Sequence, residues 1–168
     1  MASASEVLAE LRQYFSYDAE RGGFVRTAAK PRGNPKFVGI TAGRLSRTGG
    51  YLLLRVCGGS HYVHRLVWLW FRGEMPVAQL DHINRDKLDN RIENLRPATG
   101  SLNCANRQMG GNLPAGVRFR KGGWEAAIGV GRKRLYLGRF KHQDDAATAY
   151  REASMRHFGE FSLFDATI

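Results

Sequence analysis

"AQLDHINRDKLDNRIENLRPATGSLNCANRQ", residues 78–108, is the stretch on which the fold turns. "AQLDHI" reads as a strand. The segment from Asn84 to Asn90 reads as a polar loop, because Asp and Asn favour turns by bonding to nearby backbone. "IENLRPAT" returns as a second strand, and "SLNCANRQ" opens a helix with Thr99 or Ser101 as its cap. Strand, strand, helix in that order can set Asp81 and His82, on the first strand, opposite Asn103 on the helix. A carboxylate and an amide oxygen are hard ligands suited to Mg²⁺ or Mn²⁺. His82, beside such an ion and not on it, can take a proton from a water aimed at phosphorus. Phosphodiester hydrolysis needs that set: a cation for the charge that develops on phosphate, and a base for the water. The plainer alternative for a lone Asp-His pair is a solvated turn.

The composition favours a polyanionic partner. Lys and Arg number 26 against 15 Asp and Glu, a net charge of +11 with a pI near 10.3. The excess is spread along the chain, so every section can touch phosphate. With 43% hydrophobic and 11% aromatic residues, 168 residues can bury a core and make one ordinary domain or two small ones. Cys57 and Cys104 form no C-x-x-C pair, which leaves out a disulfide framework or zinc ribbon and fits a reducing cytoplasm. "MASASEVLAELRQ" lacks the basic and apolar regions of a secretory signal. The apolar run "LVWLWF", 66–71, is too short to span a bilayer, so no membrane association is expected.

Residues 5–15, "SEVLAELRQYF", have helical spacing, with Ser5 as a possible N-cap. Short strand-like pieces "GFVR" and "FVGI" follow in a region rich in Gly, Pro and basic residues. "YLLLRV", "GGS" and "HYVH" read as a hairpin about a Gly-Gly turn. "RLVWLWFRG" is apolar nearly all round and suits a buried helix or a buried strand, ended by Gly73 and Pro76. "MGGNLPAG", 109–116, reads as a linker. Beyond it, "GVRFRK", "WEAAIGV" and "RLYLGRF" read as three strands, and "HQDDAATAYREASMRHFG" as a helix with acids in its first turn. "GVGRKR", 129–134, is no phosphate loop, since a strand follows where a helix N-terminus is needed.

Residues 63–107 resemble the HNH endonucleases of the phage and intron-homing type, with their ββα-metal motif. "YVHRLVW", "DHINxDxxDNRxxNLR" and "ATxSxNxxNR" carry the likeness. The resemblance implies that Asp81 is the metal-ligand acid and His82 the general base. It further implies that Asn94 braces the loop and orients the histidine, and that Asn103 is the helix ligand. Asn106, on the same helix face, is a rival ligand. His64 in "YVHRL" reads as a packed or phosphate-touching residue. Arg65, Arg91, Arg96 and Arg107 are either solvated charges or phosphate clamps. Arg85 stands where members of the family often have Gly; a positive φ there is awkward for Arg, and its charge lies near the phosphate.

Residues 116–161 resemble the AP2/ERF DNA-binding domain, a three-stranded sheet backed by one helix. "GVRxR", Trp124, "RLYLGRF" and "AAxAYxxA" match its pattern. The likeness implies an exposed sheet face in the major groove, with Arg118, Arg120, Arg134 and Tyr136 toward DNA and Arg132 and Lys133 on phosphate. Two departures, Ala127 and Gly129, stand where the family has an acid and an Arg. Trp124 suits sheet packing better than base contact.

These features together predict an α+β protein. It comprises a lead-in (1–50), a ββα-metal HNH nuclease (51–108), a linker (109–115) and an AP2-like DNA-binding sheet with one packed helix (116–168). The expected activity is that of a homing-type endodeoxyribonuclease using Mg²⁺ or Mn²⁺ on double-stranded DNA, in the cytoplasm of a bacterium or phage-infected host. No protein partner is implied, and nicking by a monomer is the simpler expectation for one active site per chain. The alternatives are a non-cleaving DNA-binding regulator built on the same modules and an RNA-directed protein.

Overall fold

The computed structural model describes residues 2–28, 35–39, 41–106, 116–162 and 164. Contacts divide the chain into two compact units, Met1–Pro97 and Ala98–Ile168. Both mix helices with small sheets. The expected linker, 109–115, and Arg107 lie outside the described residues.

The first unit opens with helix α1, Ala4–Tyr14. Its N-cap is Ser3 and not Ser5. The Ser3 hydroxyl accepts the Glu6 N–H and the Glu6 carboxylate accepts the Ser3 N–H, and this reciprocal box needs Glu three residues after the cap. From Ser5 that position is Leu8, which cannot close it. Val7 and Leu11 face inward and lead into strand β1, Phe15–Asp18, which pairs antiparallel with β2, Gly23–Arg26. Strand β3, Thr41–Ala42, completes this sheet. "FVGI" does not form the expected strand. Of that stretch residues 37–39 are described: Pro35–Phe37 is a single 3₁₀ turn and Gly39 has φ +81, a left-handed turn conformation, while Ile40 lies outside the described residues.

Strand β4, Arg44–Leu45, adds to the hairpin of β5, Leu52–Val56, and β6, Gly59–Tyr62. Val56 pairs with Gly59, so the two-residue turn is Cys57-Gly58 and not the Gly pair read from sequence. Both turn residues have positive φ, as a primed turn demands, and the Cys57 N–H donates to Glu10 at 3.0 Å. The apolar run settles as helix α2, Val63–Arg72, stopped by left-handed Gly73. Val63, Leu66 and Val67 recur on one face and are almost fully buried against Val7, Leu11, Phe24 and Val56. A helix wins over a strand because that spacing serves one continuous core. Strand β7, Gln79–His82, then pairs with β8, Leu95–Ala98.

The second unit begins with the short helix α3, Gly100–Ala105, capped by Thr99, whose hydroxyl accepts the Leu102 N–H. Strands β9, Val117–Arg120, β10, Gly123–Val130, and β11, Lys133–Phe140, form an antiparallel sheet with β10 in the centre. Helix α4, Gln143–Phe158, packs on it, burying Ala146 against Val117 and Ala126 with Trp124, Leu137, Phe140 and Tyr150 around them. Small Ala side chains let the helix lie close. Trp124 therefore serves sheet packing. Val117 is buried as alternation expects, whereas Phe119 on the same side is 62% exposed, edge-on to Trp124.

Candidate functional site

Asp81 and His82 end β7 and are 4% and 5% exposed. A buried carboxylate beside a buried imidazole is costly unless each has partners. Arg96, on β8, answers for Asp81: its Nε donates to Asp81 Oδ2 at 3.0 Å, and a terminal guanidinium nitrogen lies 3.0 Å from the same oxygen. Asn90 answers for His82, with 3.1 Å between its Oδ1 and the imidazole Nε2.

The Asn90 contact also fixes the tautomer. The Asn90 amide nitrogen donates to the Leu88 carbonyl at 3.0 Å, which turns its oxygen toward the ring. His82 Nε2 must then carry the hydrogen, and the lone pair sits on Nδ1. Burial pushes the His82 pKa down, outweighing the upward pull of the Asn90 bond and of Asp81, Asp86 and Asp89. The ring is therefore neutral at physiological pH and holds a lone pair able to accept a proton.

The loop from 84 to 91 is built from its own polar side chains. Asn94 Oδ1 accepts the Asn84 N–H at 2.9 Å, while its amide nitrogen donates to Asn84 Oδ1 and the Asp89 carbonyl. Asp86 accepts the Leu88 N–H, and Asp89 holds Arg91 through two bonds of 2.8 and 2.7 Å. Those Arg91 bonds keep the Asp89 carboxyl down at about 2. Lys87 reaches back to the Gly49 carbonyl at 2.9 Å and lies 5.0 Å over the Tyr51 ring. Asn94 thus braces the loop, whereas the side chain on His82 is that of Asn90. Nothing in the spacing singles out Asn90 among the neighbouring asparagines.

His64, at the start of α2, is packed. Its ring stacks on Tyr62 at 5.5 Å, lies edge-on to His82 at 5.3 Å, and is 5.3 Å from Tyr51. Tyr51 also touches the His82 ring, at 5.9 Å. Burial, then the repulsion that a charged His64 would meet from a protonated His82 and from Arg65, push the His64 pKa down to about 3. Arg65 donates to the Pro76 carbonyl at 2.9 Å. Arg65, Arg91 and Arg96 therefore all have internal duties, an assignment the sequence left open.

In the second unit, Asn103 is half-buried on α3 and Asn106, at that helix's C-cap, is 2% exposed. On the sheet, Arg118, Arg120, Arg134 and Tyr136 line one shallow depression with Glu125 and Ala127. They share the face turned away from α4, as alternation requires. Arg132 and Lys133 are exposed at the β10–β11 turn. Arg139 folds back on the same side to donate to the Arg120 and Lys121 carbonyls.

Residues 61–103 match the family model of the HNH endonucleases. The matched span contains Asp81, His82, Asn94 and Asn103 and supports a nuclease of HNH type, a hydrolase that cuts DNA. The C-terminal sheet lies outside the HNH span, and no curated protein and no solved structure matches the chain. HNH nucleases generally work with a divalent ion. No group of three or more His, Cys, Asp or Glu side chains that could hold a metal occurs among the described residues. The donors expected in the HNH span, the Asp81 carboxylate and the Asn103 amide oxygen, are of a kind that suits a hard cation that keeps water and phosphate oxygens as its remaining ligands. No helix among the described residues is long and apolar enough to cross a membrane.

Proposed function

We propose that the chain is a homing-type DNA endonuclease that hydrolyses a phosphodiester bond with His82 as general base, Asp81 and Asn103 as ligands of Mg²⁺ or Mn²⁺, and the C-terminal sheet as its grip on duplex DNA. The observation that carries this reading is the neutral His82, held at Nε2 by Asn90 with its lone pair on Nδ1, inside the HNH-matched span. Such a histidine is poised to take a proton from water as the water attacks phosphorus. The bound ion would supply charge neutralisation at the phosphate and ease departure of the leaving oxygen.

The chain's own residues do the rest. Asn94 and Asn84 hold the loop that carries Asn90, so the imidazole cannot swing. The packed rings of Tyr51 and His64 exclude water from its flank and favour the uncharged form. Arg96 holds the Asp81 carboxylate in place from β8 through its 3.0 Å hydrogen bond. Arg118, Arg120, Arg134 and Tyr136 offer a base-facing surface, with Arg132 and Lys133 on phosphate. We place the nuclease in residues 51–108, the linker in 109–115 and the AP2-like grip in 116–168.

One observation favours a second reading, a DNA-binding regulator that does not cut. Arg96 already neutralises Asp81, so an incoming cation meets a guanidinium 3.0 Å from its ligand oxygen. Incubation with supercoiled plasmid and Mg²⁺ or Mn²⁺, against an EDTA control, separates the two. Nicked circles that vanish with EDTA are expected. His82→Ala should lose roughly 10²–10⁴-fold in rate while keeping most DNA affinity, and full activity in that variant would remove the base assignment. Asn103→Ala should lose activity; if Asn106→Ala is inactive in its place, the ligand is Asn106.

A further inference from the structure

Arg85 has a left-handed backbone, φ +68, in the loop that follows His82. An Arg there is strained, because its Cβ crowds the neighbouring carbonyl, and Gly would sit without cost. The turn that imposes this conformation is anchored at the histidine: the Arg85 N–H donates to the His82 carbonyl at 2.9 Å. The side chain is exposed.

Every other charged side chain between 84 and 91 has a structural duty. Asp86 caps the Leu88 N–H, Lys87 ties the loop to Gly49 and Tyr51, and Asp89 and Arg91 hold each other. The Arg85 guanidinium makes no hydrogen bond, ion pair or ring contact with a described residue. A cation held in a strained conformation beside a base, with no partner among the described residues, is open to a ligand from outside. Strain of this kind persists where function requires the side chain.

We propose that Arg85 is a substrate-binding residue whose guanidinium contacts a DNA backbone phosphate next to the bond that His82 acts upon. The inference rests on the nuclease reading and assigns to that site a contact the ligand and base residues do not provide. Guanidinium matches two phosphate oxygens at once, and such a contact carries affinity without reading sequence. The alternative occupant of this position is water alone, with the Arg idle.

The test compares Arg85→Gly, Arg85→Asn and Arg85→Lys with the unaltered chain. Duplex binding is read in EDTA at several salt concentrations, plasmid nicking in Mg²⁺, and thermal midpoint without DNA. Gly relaxes the backbone, Asn tolerates the left-handed region without charge, and Lys keeps the charge. Arg85→Gly and Arg85→Asn should melt no lower than the unaltered chain, bind roughly tenfold more weakly, and lower the salt slope by about one unit. Arg85→Lys should retain the slope. Binding and slope unchanged in Arg85→Gly would overturn the proposal while leaving the nuclease reading intact if plasmid is still nicked. A slope that falls as expected in a chain that never nicks would sink the nuclease reading and keep the phosphate contact. Failure of the unaltered chain to bind duplex at all overturns both.

Discussion

His64 shows what burial does to a single titratable side chain. Packed between Tyr51, Tyr62 and His82, its ring binds a proton only near pH 3, whereas in the unfolded chain it does so near its ordinary 6.5. Between those values the unfolded state binds more protons, so stability falls as pH drops from about 6.5 toward 3. His82, shifted the same way by burial, adds to the loss. Denaturant unfolding followed across that window should show the decline, and His64→Phe, which keeps a ring but does not titrate, should flatten much of it. An equal slope in the variant would mean that other groups carry the acid sensitivity. Arg85, by contrast, has a backbone conformation that no charge partner within the loop explains, and its test is one of binding.

At the scale of elements, close approach is bought by glycine in the second unit. The Gly116 carbonyl accepts the Ala127 N–H at 3.0 Å, and a Cβ on Gly116 would collide with the Ala127 carbonyl and the Tyr150 ring. Neither neighbour moves at no cost: one is central-strand backbone, the other is a partly buried side chain of α4 packed against the sheet core. Gly116→Ala should therefore cost about 1–3 kcal/mol by overpacking, read as a lower denaturant midpoint with an unchanged slope. No loss of stability would mean that the β9 edge shifts freely. In the central sheet the ladder is itself irregular, with the register shifting at Ala126/Ala127 and Gly138 at φ +139 opposite. That bulge re-aims the end of β11, so Arg139 lies over Gly123 on the same open face as Arg134 and Tyr136.

For the whole molecule, the net charge of +11 gives strong salt dependence to any DNA complex, and the open sheet face is where grip and readout can be told apart. Arg132→Ala and Lys133→Ala should weaken a preferred and a scrambled duplex alike and lower the salt slope by about one unit each. Among Arg118, Arg120 and Arg134, one or two should instead change preference, by about 1–3 kcal/mol for a lost bidentate guanine contact. Titration of each Ala variant against both duplexes at several salt concentrations is the measurement. Uniform weakening by all three would make the sheet an electrostatic clamp and move site choice elsewhere in the chain.

The sequence by itself determined the elements whose causes are local. Period-two runs gave β9, β10 and β11, the acids of the first turn and Gly159 bounded α4, and the Asp-His pair fell at a strand end before a polar loop. The Ser3–Glu6 box was equally local, although Ser5 offers a cap of the same chemistry without the partner three residues on. What the tertiary structure decided were choices among chemically identical candidates. Asn84, Asn90 and Asn94 are all amides in one loop, yet only the folded loop turns Asn90 onto His82, eight positions away, and Asn94 onto the backbone. Arg65, Arg91 and Arg96 were interchangeable as charges, and folding gave them a carbonyl, an aspartate of the loop and the buried Asp81. The helix of α2 likewise needed the core on one side to be preferred over a buried strand. Turn chemistry and hydrophobic period act between neighbours in the chain, whereas a side chain's partner is fixed by which strands pair and what they bury.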